Sequence, residues 1–188
     1  MASPSAQKPD SERYGWTSII LHWLGAVALV FSFTTGDPLE DAAGAERVSA
    51  YANHVFWASI LGILLIARVV WRIRRGFKPN PSQQLALRVL ARAVMIGFLI
   101  SILGAVVSGL LLPWTEGTAL EIGALTIASP MSSVPALYDF MAGAHSLFSH
   151  IWIALLLLHL LGALKHLIID RDEVFGGIFW RSANGGRR

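Results

Sequence analysis

Four runs of this chain, residues 17–36, 51–73, 90–112 and 140–168, each extend for about twenty residues or more and hold at most two formal charges apiece. A helix needs about 20 apolar residues to cross the hydrocarbon core of a bilayer, and only segments that satisfy their own backbone can reside there. The composition follows from those runs: 54% of the 188 residues are hydrophobic and 14% charged, against about 25% charged in an ordinary soluble domain. The pattern predicts an all-α integral membrane protein, a four-transmembrane-helix bundle. A polar N-terminal head over residues 1–16 precedes the bundle of residues 17–168, and residues 169–188 form a tail. The first run is too long for a signal-peptide core and no small-x-small site follows it, so it reads as a retained helix.

Lysine and arginine fix the orientation. Residues 72–92 hold six basic residues (Arg72, Arg74, Arg75, Lys78, Arg88, Arg92) and no acid, and the tail from Lys165 adds five more. The loop before the second run has Arg47 against Asp37, Glu40, Asp41 and Glu46, and residues 113–139 have no base. Excess positive charge marks cytoplasmic loops, so both termini are placed in the cytoplasm and the acidic loops outside. Basic residues used as helix anchors are not a nucleic-acid footprint, and no nucleic-acid partner is expected. Gly76, Pro79 and Pro81 break the inner loop, while Pro113, Pro130 and Pro135 punctuate the long outer one, with a short interfacial segment over residues 120–127.

There is no cysteine, which excludes disulfides, thiolate zinc sites, iron–sulfur clusters and covalently attached c-type haem. All six histidines, in contrast, lie in or at the end of the apolar runs: His22, His54, His145, His150, His159 and His166. Ionisable groups within a bilayer are costly and mark functional sites by default. One such histidine can simply bond a neighbouring helix; six in this arrangement call for more. His145 and His159 are fourteen residues apart, about 40° short of four full helical turns and roughly 21 Å of rise, so they share a face at two depths. His54 lies near the outer end of the second helix and His22 near the inner end of the first. Depth therefore pairs His54 with His145, and His22 with His159.

Each iron of a bis-histidine haem needs two neutral imidazoles on opposite sides of the macrocycle. Two interhelical pairs matched in depth point to two haem b groups with His22, His159, His54 and His145 as the iron ligands. Zinc or copper transport is the rival, and it would bring carboxylates or methionines into the same layers. Arg68 stands fourteen residues after His54, on the same face and at the inner level, where a haem propionate would satisfy its guanidinium; snorkelling to the interface near Arg72 is the alternative. His150 points off the shared face and is expected to bond another helix. His166, seven residues after His159 at the inner interface, is a candidate quinone contact or propionate partner. The tryptophans at 16, 57, 71, 114, 152 and 180 read as an aromatic belt, and Gly97, Ser101, Gly104 and Ser108 as close-packing positions.

The segments ILHWLGA around His22, ANHVFWASILGILLIARVVWRI around His54 and AHSLFSHIWIALLLLHLLGALKHLIIDRDEVF at the end resemble the bacterial di-haem cytochrome b561 family, some members of which are described as superoxide oxidases. The resemblance runs from about residue 14 to residue 179. It implies a four-helix bundle, two haems b on the four histidines paired above, and electron exchange with ubiquinone in the inner membrane of a bacterial cell. The family often has a histidine near the start of the third helix, where this chain has Arg88 and Arg92. The expectation is therefore a quinone-linked oxidoreductase that carries electrons between an outer-face donor and the ubiquinone pool, with Arg68, Arg72 and His166 near the quinone. The donor is superoxide or a basic c-type cytochrome. The outer loops hold seven acids (Asp37, Glu40, Asp41, Glu46, Glu116, Glu121, Asp139) and one base, a field that repels an anion. A haem-bearing anchor or conduit subunit of a larger dehydrogenase or hydrogenase complex is the alternative.

Overall fold

The computed structural model describes residues 15–36, 39, 43–76, 84–171, 176, 177 and 179. Most of the polar head and of the tail, with Trp180 and Lys78, lies outside them. Four long helices dominate: α1 (Trp16–Gly36), α2 (Gly44–Arg75), α3 (Leu85–Glu116) and α4 (Pro135–Lys165). All four are long and apolar enough to span a membrane. Their flanks carry large exposed apolar side chains, Val27 65%, Ile63 72% and Phe140 67% exposed among them, which only a hydrocarbon solvent tolerates on this scale. The four alternate in direction, so the start of α1 and the end of α4 share one end with Arg72, Arg74, Arg75, Arg88 and Arg92. This is the basic end; the opposite end, with Glu46, Glu116, Glu121 and Asp139, is the acidic end.

The helices α2, α3 and α4 begin or end well outside the apolar runs. The bilayer sets the length of the apolar stretch, but the backbone ladder continues into water until a residue stops it. Gly76 (φ 67°) and Gly117 (φ 85°) end α2 and α3 at positive φ, Gly117 alone in the left-handed helical conformation, and each donates its backbone N–H to carbonyls of the last turn. Pro135 opens α4, where a missing N–H costs nothing. The expected break at Pro113 is a correction: Pro113 lies inside α3, which continues to Glu116. With one turn left, few bonds remain to be lost, and the Thr118 N–H and hydroxyl both donate to the Pro113 carbonyl.

The expected interfacial segment over residues 120–127 is a β-hairpin. β1 (Leu120–Ile122) pairs antiparallel with β2 (Leu125–Ile127), Leu120 opposite Ile127 and Ile122 opposite Leu125. Gly123, at φ 61°, supplies the positive φ that a two-residue hairpin turn requires, and a side chain there would press on the Phe56 ring at 3.1 Å. The hairpin closes its own backbone bonds at the membrane end, as an irregular loop could not. It folds over the acidic end, with Leu120 buried. Trp114 Nε1 donates to the Ile127 carbonyl at 3.3 Å, and the Ser129 hydroxyl donates to the Trp114 carbonyl at 3.1 Å, stitching the loop to α3.

The buried cluster comprises Ala28 of α1, Leu65 and Val69 of α2 and Ile102 of α3. Small residues let helices approach: a Cβ on Gly62 would meet Val106, on Gly97 Leu155, and on Gly104 the Phe148 ring. α1 meets α4 through aromatic rings, Phe33 edge-on to Trp152 with centroids 5.6 Å apart. Trp152 is 7% exposed, so it is a residue of the bundle interior and not of the interfacial belt. Its position seven residues from both His145 and His159 places it on their shared face, which turns inward.

Candidate functional site: two histidine pairs

The rings that the depth argument pairs lie together. His54 of α2 and His145 of α4 have centroids 6.2 Å apart, and His22 of α1 and His159 of α4 6.1 Å apart. A metal–imidazole bond is about 2 Å, so two imidazoles that share one metal through opposed Nε2 atoms place their centroids roughly 6 Å apart. Both pairs have that spacing. Among the described residues no three His, Asp or Glu side chains gather around one point. Two ligands at each level fit an ion whose other positions are filled by a macrocycle; a zinc or copper cage made by protein alone needs more.

The acidic-end pair is preset for ligation. His145 Nδ1 donates to the Ala105 carbonyl of α3 at 2.8 Å. His54 Nδ1 lies 3.2 Å from Thr35 Oγ1, and the Thr35 hydroxyl has its own acceptors in the Phe31 and Ser32 carbonyls, each at 3.1 Å. The Thr35 oxygen therefore accepts from Nδ1–H. A neutral imidazole carries one proton, so both Nδ1 atoms hold it and both Nε2 lone pairs are free. Metal-bound histidines are oriented by such second bonds. Two glycines seat the rings: a Cβ on Gly36 would stand 3.0 Å from His54 Cε1, and one on Gly109 2.8 Å from His145 Cε1. A cleft surrounds the pair, and Leu29, Phe33, Val55, Ile102 and Trp152 line it with Leu120 of the hairpin. Its apolar lining suits an apolar cofactor.

The basic-end pair is built differently. Arg68 Nη2 lies 3.0 Å from His22 Nδ1, and its aliphatic stem crosses α1 at Gly25, where any Cβ would collide with Arg68 Cδ. Arg68 thus points into the bundle, which settles its placement against snorkelling. Phe98 stands edge-on to His159 at 5.7 Å, and Trp23 edge-on to His22 at 5.4 Å. Arg72, one turn further along α2, is half-buried. Beside them the Trp71 indole donates to Ser18 Oγ at 3.0 Å, tying α2 to α1, and Arg75 stacks on the Trp71 ring at 4.8 Å.

Two histidines stand apart from the pairs. His150 is exposed and donates from Nδ1 to the Ser146 carbonyl one turn back at 2.8 Å. Its bond is within α4, not to another helix as expected, because its side of α4 faces away from the other three. His166 follows α4 in a π-helical turn (His166–Asp170) and pairs with Asp170 at 3.3 Å. The sequence reading missed Gly25, Gly36, Gly109, Thr35 and Asp170. A glycine in an apolar helix is ordinary, and only three-dimensional packing shows which ones face a functional ring.

The family model for prokaryotic cytochrome b561 matches residues 13–181. Cytochrome b561 homolog 2 of Escherichia coli (strain K12) is 26% identical over 177 residues, covering 92% of this chain and 94% of that protein. With four membrane-spanning helices and imidazole pairs at metal-sharing distance, the chain belongs to the prokaryotic cytochrome b561 family, the multi-pass inner-membrane cytochromes that bind haem b and transfer electrons.

Proposed function

We propose that this chain is a di-haem b cytochrome that carries electrons across the membrane, between a donor at the acidic end, facing outward, and ubiquinone at the basic, cytoplasmic end. The observation that carries the reading is the presence of two histidine pairs with nearly the same ring separation, one toward each end of the bundle. His54 and His145 hold the outer haem; His22 and His159 hold the inner one. Haem b, when bound, supplies the one-electron iron couple. The chain supplies ligands, orientation and burial: Ala105 and Thr35 aim the outer imidazoles, and Arg68 offers its guanidinium to a propionate at the inner level. Arg72 and His166 are proposed to meet the quinone. Haem quantitation and reduced-minus-oxidised spectra of the purified protein test this reading. Two haems per chain are expected, and one or none would overturn it.

The donor is a cationic protein of the c-type cytochrome class in preference to superoxide. Glu46, Glu116, Glu121 and Asp139 stand at the acidic end, and residues 113–139 carry no base; complementary charge accelerates encounter and loses its effect in salt. Stopped-flow reduction by a basic c-type cytochrome should slow as ionic strength rises. Reduction by superoxide near the diffusion limit, independent of salt, would reverse the choice of donor. Function as a conduit subunit within a larger redox complex would show as a stable partner retained in mild detergent.

A further inference from the structure

Among the described residues α4 is the least covered of the four long helices, with Trp152 alone buried. Nine residues, two and a half turns, separate Trp152 from Gly143 and from Leu161, so these two stand on the side of α4 turned away from the bundle. That side is exposed at every third or fourth residue from Gly143 to Leu164. In hydrocarbon an apolar stripe needs no partner, but this one is interrupted near its centre by two polar side chains. His150, fifteen residues from either end of α4 (Pro135–Lys165), and Ser146, one turn before it, are both exposed. Ionisable groups at bilayer depth almost always face a bundle interior or a water-filled cavity; His150 faces away from its own bundle.

The bonding of these two residues is incomplete in a complementary way. His150 Nδ1 donates to the Ser146 carbonyl at 2.8 Å, so the neutral imidazole keeps Nε2 as a bare acceptor. Ser146 Oγ lies 3.5 Å from the same Nδ1. That nitrogen has no lone pair for the hydroxyl proton, which has no acceptor among the described residues. One face of one helix thus offers a donor and an acceptor to the middle of the bilayer, where lipid satisfies neither and an unmet polar group is costly. The bond to the Ser146 carbonyl also draws the imidazole one turn back, the direction in which helical side chains lean. Nε2 therefore stands at about the depth of Ser146 itself.

We propose that this face of α4 joins two copies of the chain in a parallel two-fold dimer, closed by reciprocal hydrogen bonds from the Ser146 hydroxyl of each copy to His150 Nε2 of the other. Copies of one membrane chain insert in the same direction, so two α4 helices that meet run parallel with equal residues at equal depth. In an isologous contact a donor and an acceptor on one face satisfy each other twice. The helix that His150 lacks within one chain is supplied by the second. The flanking residues fit the same pairing: Leu147, Ala154 and Leu161 recur every seven residues, and so do Gly143, His150 and Leu157. That is the seam of a left-handed helix pair, in which a single polar position fixes the register. Gly143 has open space beside it, and a groove lined by Phe140, Gly143 and Leu147 adjoins the seam. His145 and His159 lie on the other side of α4, so the dimer leaves both histidine pairs as they are.

The chain has no cysteine of its own, so an introduced thiol reports on one position alone. In native membranes holding the full-length haem-loaded protein, Ala154→Cys and Leu161→Cys should each form an interchain disulfide on mild oxidation. Leu160→Cys, equally exposed but about 100° around the helix from Leu161, should not. Energy transfer between labelled copies in liposomes of phosphatidylethanolamine and phosphatidylglycerol, followed over a range of protein-to-lipid ratios, gives the dimer affinity. Ser146→Ala and His150→Ala should each weaken it about tenfold. The double variant should weaken it no further, because either change removes both reciprocal bonds. His150→Gln, whose amide oxygen also accepts, should restore most of the affinity. Haem content and spectra should stay as in the unaltered protein; should His150→Ala lose haem, Ser146→Ala decides. A chain that stays monomeric at every ratio, disulfides formed as readily at position 160 as at 154, or an affinity untouched by both variants would overturn the proposal. So would a chain that is monomeric in liposomes but whose His150→Ala variant releases a different membrane protein held in mild detergent, since the face then belongs to that partner.

Discussion

The two histidine pairs are nearly identical in spacing and opposite in readiness. At the acidic end both Nδ1 atoms donate to oxygens, Ala105 O and Thr35 Oγ1, so each imidazole is fixed in the tautomer that leaves Nε2 free for iron. At the basic end His22 faces Arg68, and a guanidinium has hydrogens to give and no lone pair to offer. His22 Nδ1 must therefore accept, its single proton resides on Nε2, and that atom is not a ligand in this arrangement. Binding of an iron there requires the imidazole proton to change places and Arg68 to take another acceptor, for which a propionate is suited. One site is built from neutral second bonds and ready at once, whereas the other keeps a cation that has to be re-aimed. Equal ligand sets do not make equal sites.

The largest effects should come from the ligands themselves. His54→Ala or His145→Ala should each remove one haem per chain, and the double variant should remove no more than either single one if, as proposed, both residues serve one iron. His22→Ala and His159→Ala should remove the other. Haem quantitation beside optical spectra reads this directly, and loss of both haems from a single acidic-end substitution would break the picture of two independent sites.

Arg68 sharpens the contrast. A positive charge beside an iron favours its reduced form, so Arg68→Leu should lower the midpoint potential of the basic-end haem. A partly buried charge-assisted contact is worth about 1.5–3 kcal/mol, and about 1.4 kcal/mol corresponds to 59 mV for one electron; a fall of roughly 60–130 mV is expected. The acidic-end potential should move little. A redox titration resolved by site checks both, and an equal shift at the two sites would mean that Arg68 acts through the fold and not on its neighbour.

The glycine seats come next. Gly109→Ala would put a methyl group 2.8 Å from His145 Cε1, closer than Cβ atoms are found, with the ring also tied to Ala105; Gly36→Ala would place one 3.0 Å from His54 Cε1. Displaced ligand rings typically cost 10–100-fold in affinity. Gly109→Ala should weaken acidic-end haem binding by about tenfold and Gly36→Ala by less, with the basic-end haem unaffected. Haem transfer to apomyoglobin, followed by site, would show it.

Much of this molecule is readable from order and spacing. The bilayer fixes helix length and number, and the constant rise of a helix turns sequence separation into depth, which is why four histidines on three helices pair by their positions in the chain. What escaped has physical reasons too. Residues 120–127 are a short apolar run in which a hairpin and an interfacial helix differ only in a Gly–Ala turn, a weak signal without the Phe56 ring that Gly123 packs against. Trp152 was read as an interfacial anchor because tryptophan favours that zone, yet its seven-residue spacing from both His145 and His159 marks the inward face.

The finest discrimination lies between two hydroxyls at the acidic end. Thr35 Oγ1 is 3.2 Å from His54 Nδ1, while Ser108 Oγ is 3.5 Å from His145 Nδ1, whose proton already goes to the Ala105 carbonyl at 2.8 Å. Ser108 is moreover committed to the Gly104 carbonyl at 2.6 Å. Thr35→Val keeps the shape and removes the acceptor, so His54 loses a bond that fixes its tautomer. A neutral hydrogen bond is worth about 0.5–1.5 kcal/mol, equivalent to roughly 20–60 mV for one electron. A ligand whose Nδ1–H is no longer drawn away is a poorer donor to iron and stabilises the oxidised form less, so the acidic-end potential should rise within that range. Ser108→Ala should leave it within about 10 mV, well under one such bond, because His145 keeps its stronger partner. If Ser108→Ala moves the potential as much as Thr35→Val does, then the Ala105 carbonyl is not what holds His145, and the readiness of the acidic-end site has to be sought in the packing of its rings against Gly36 and Gly109.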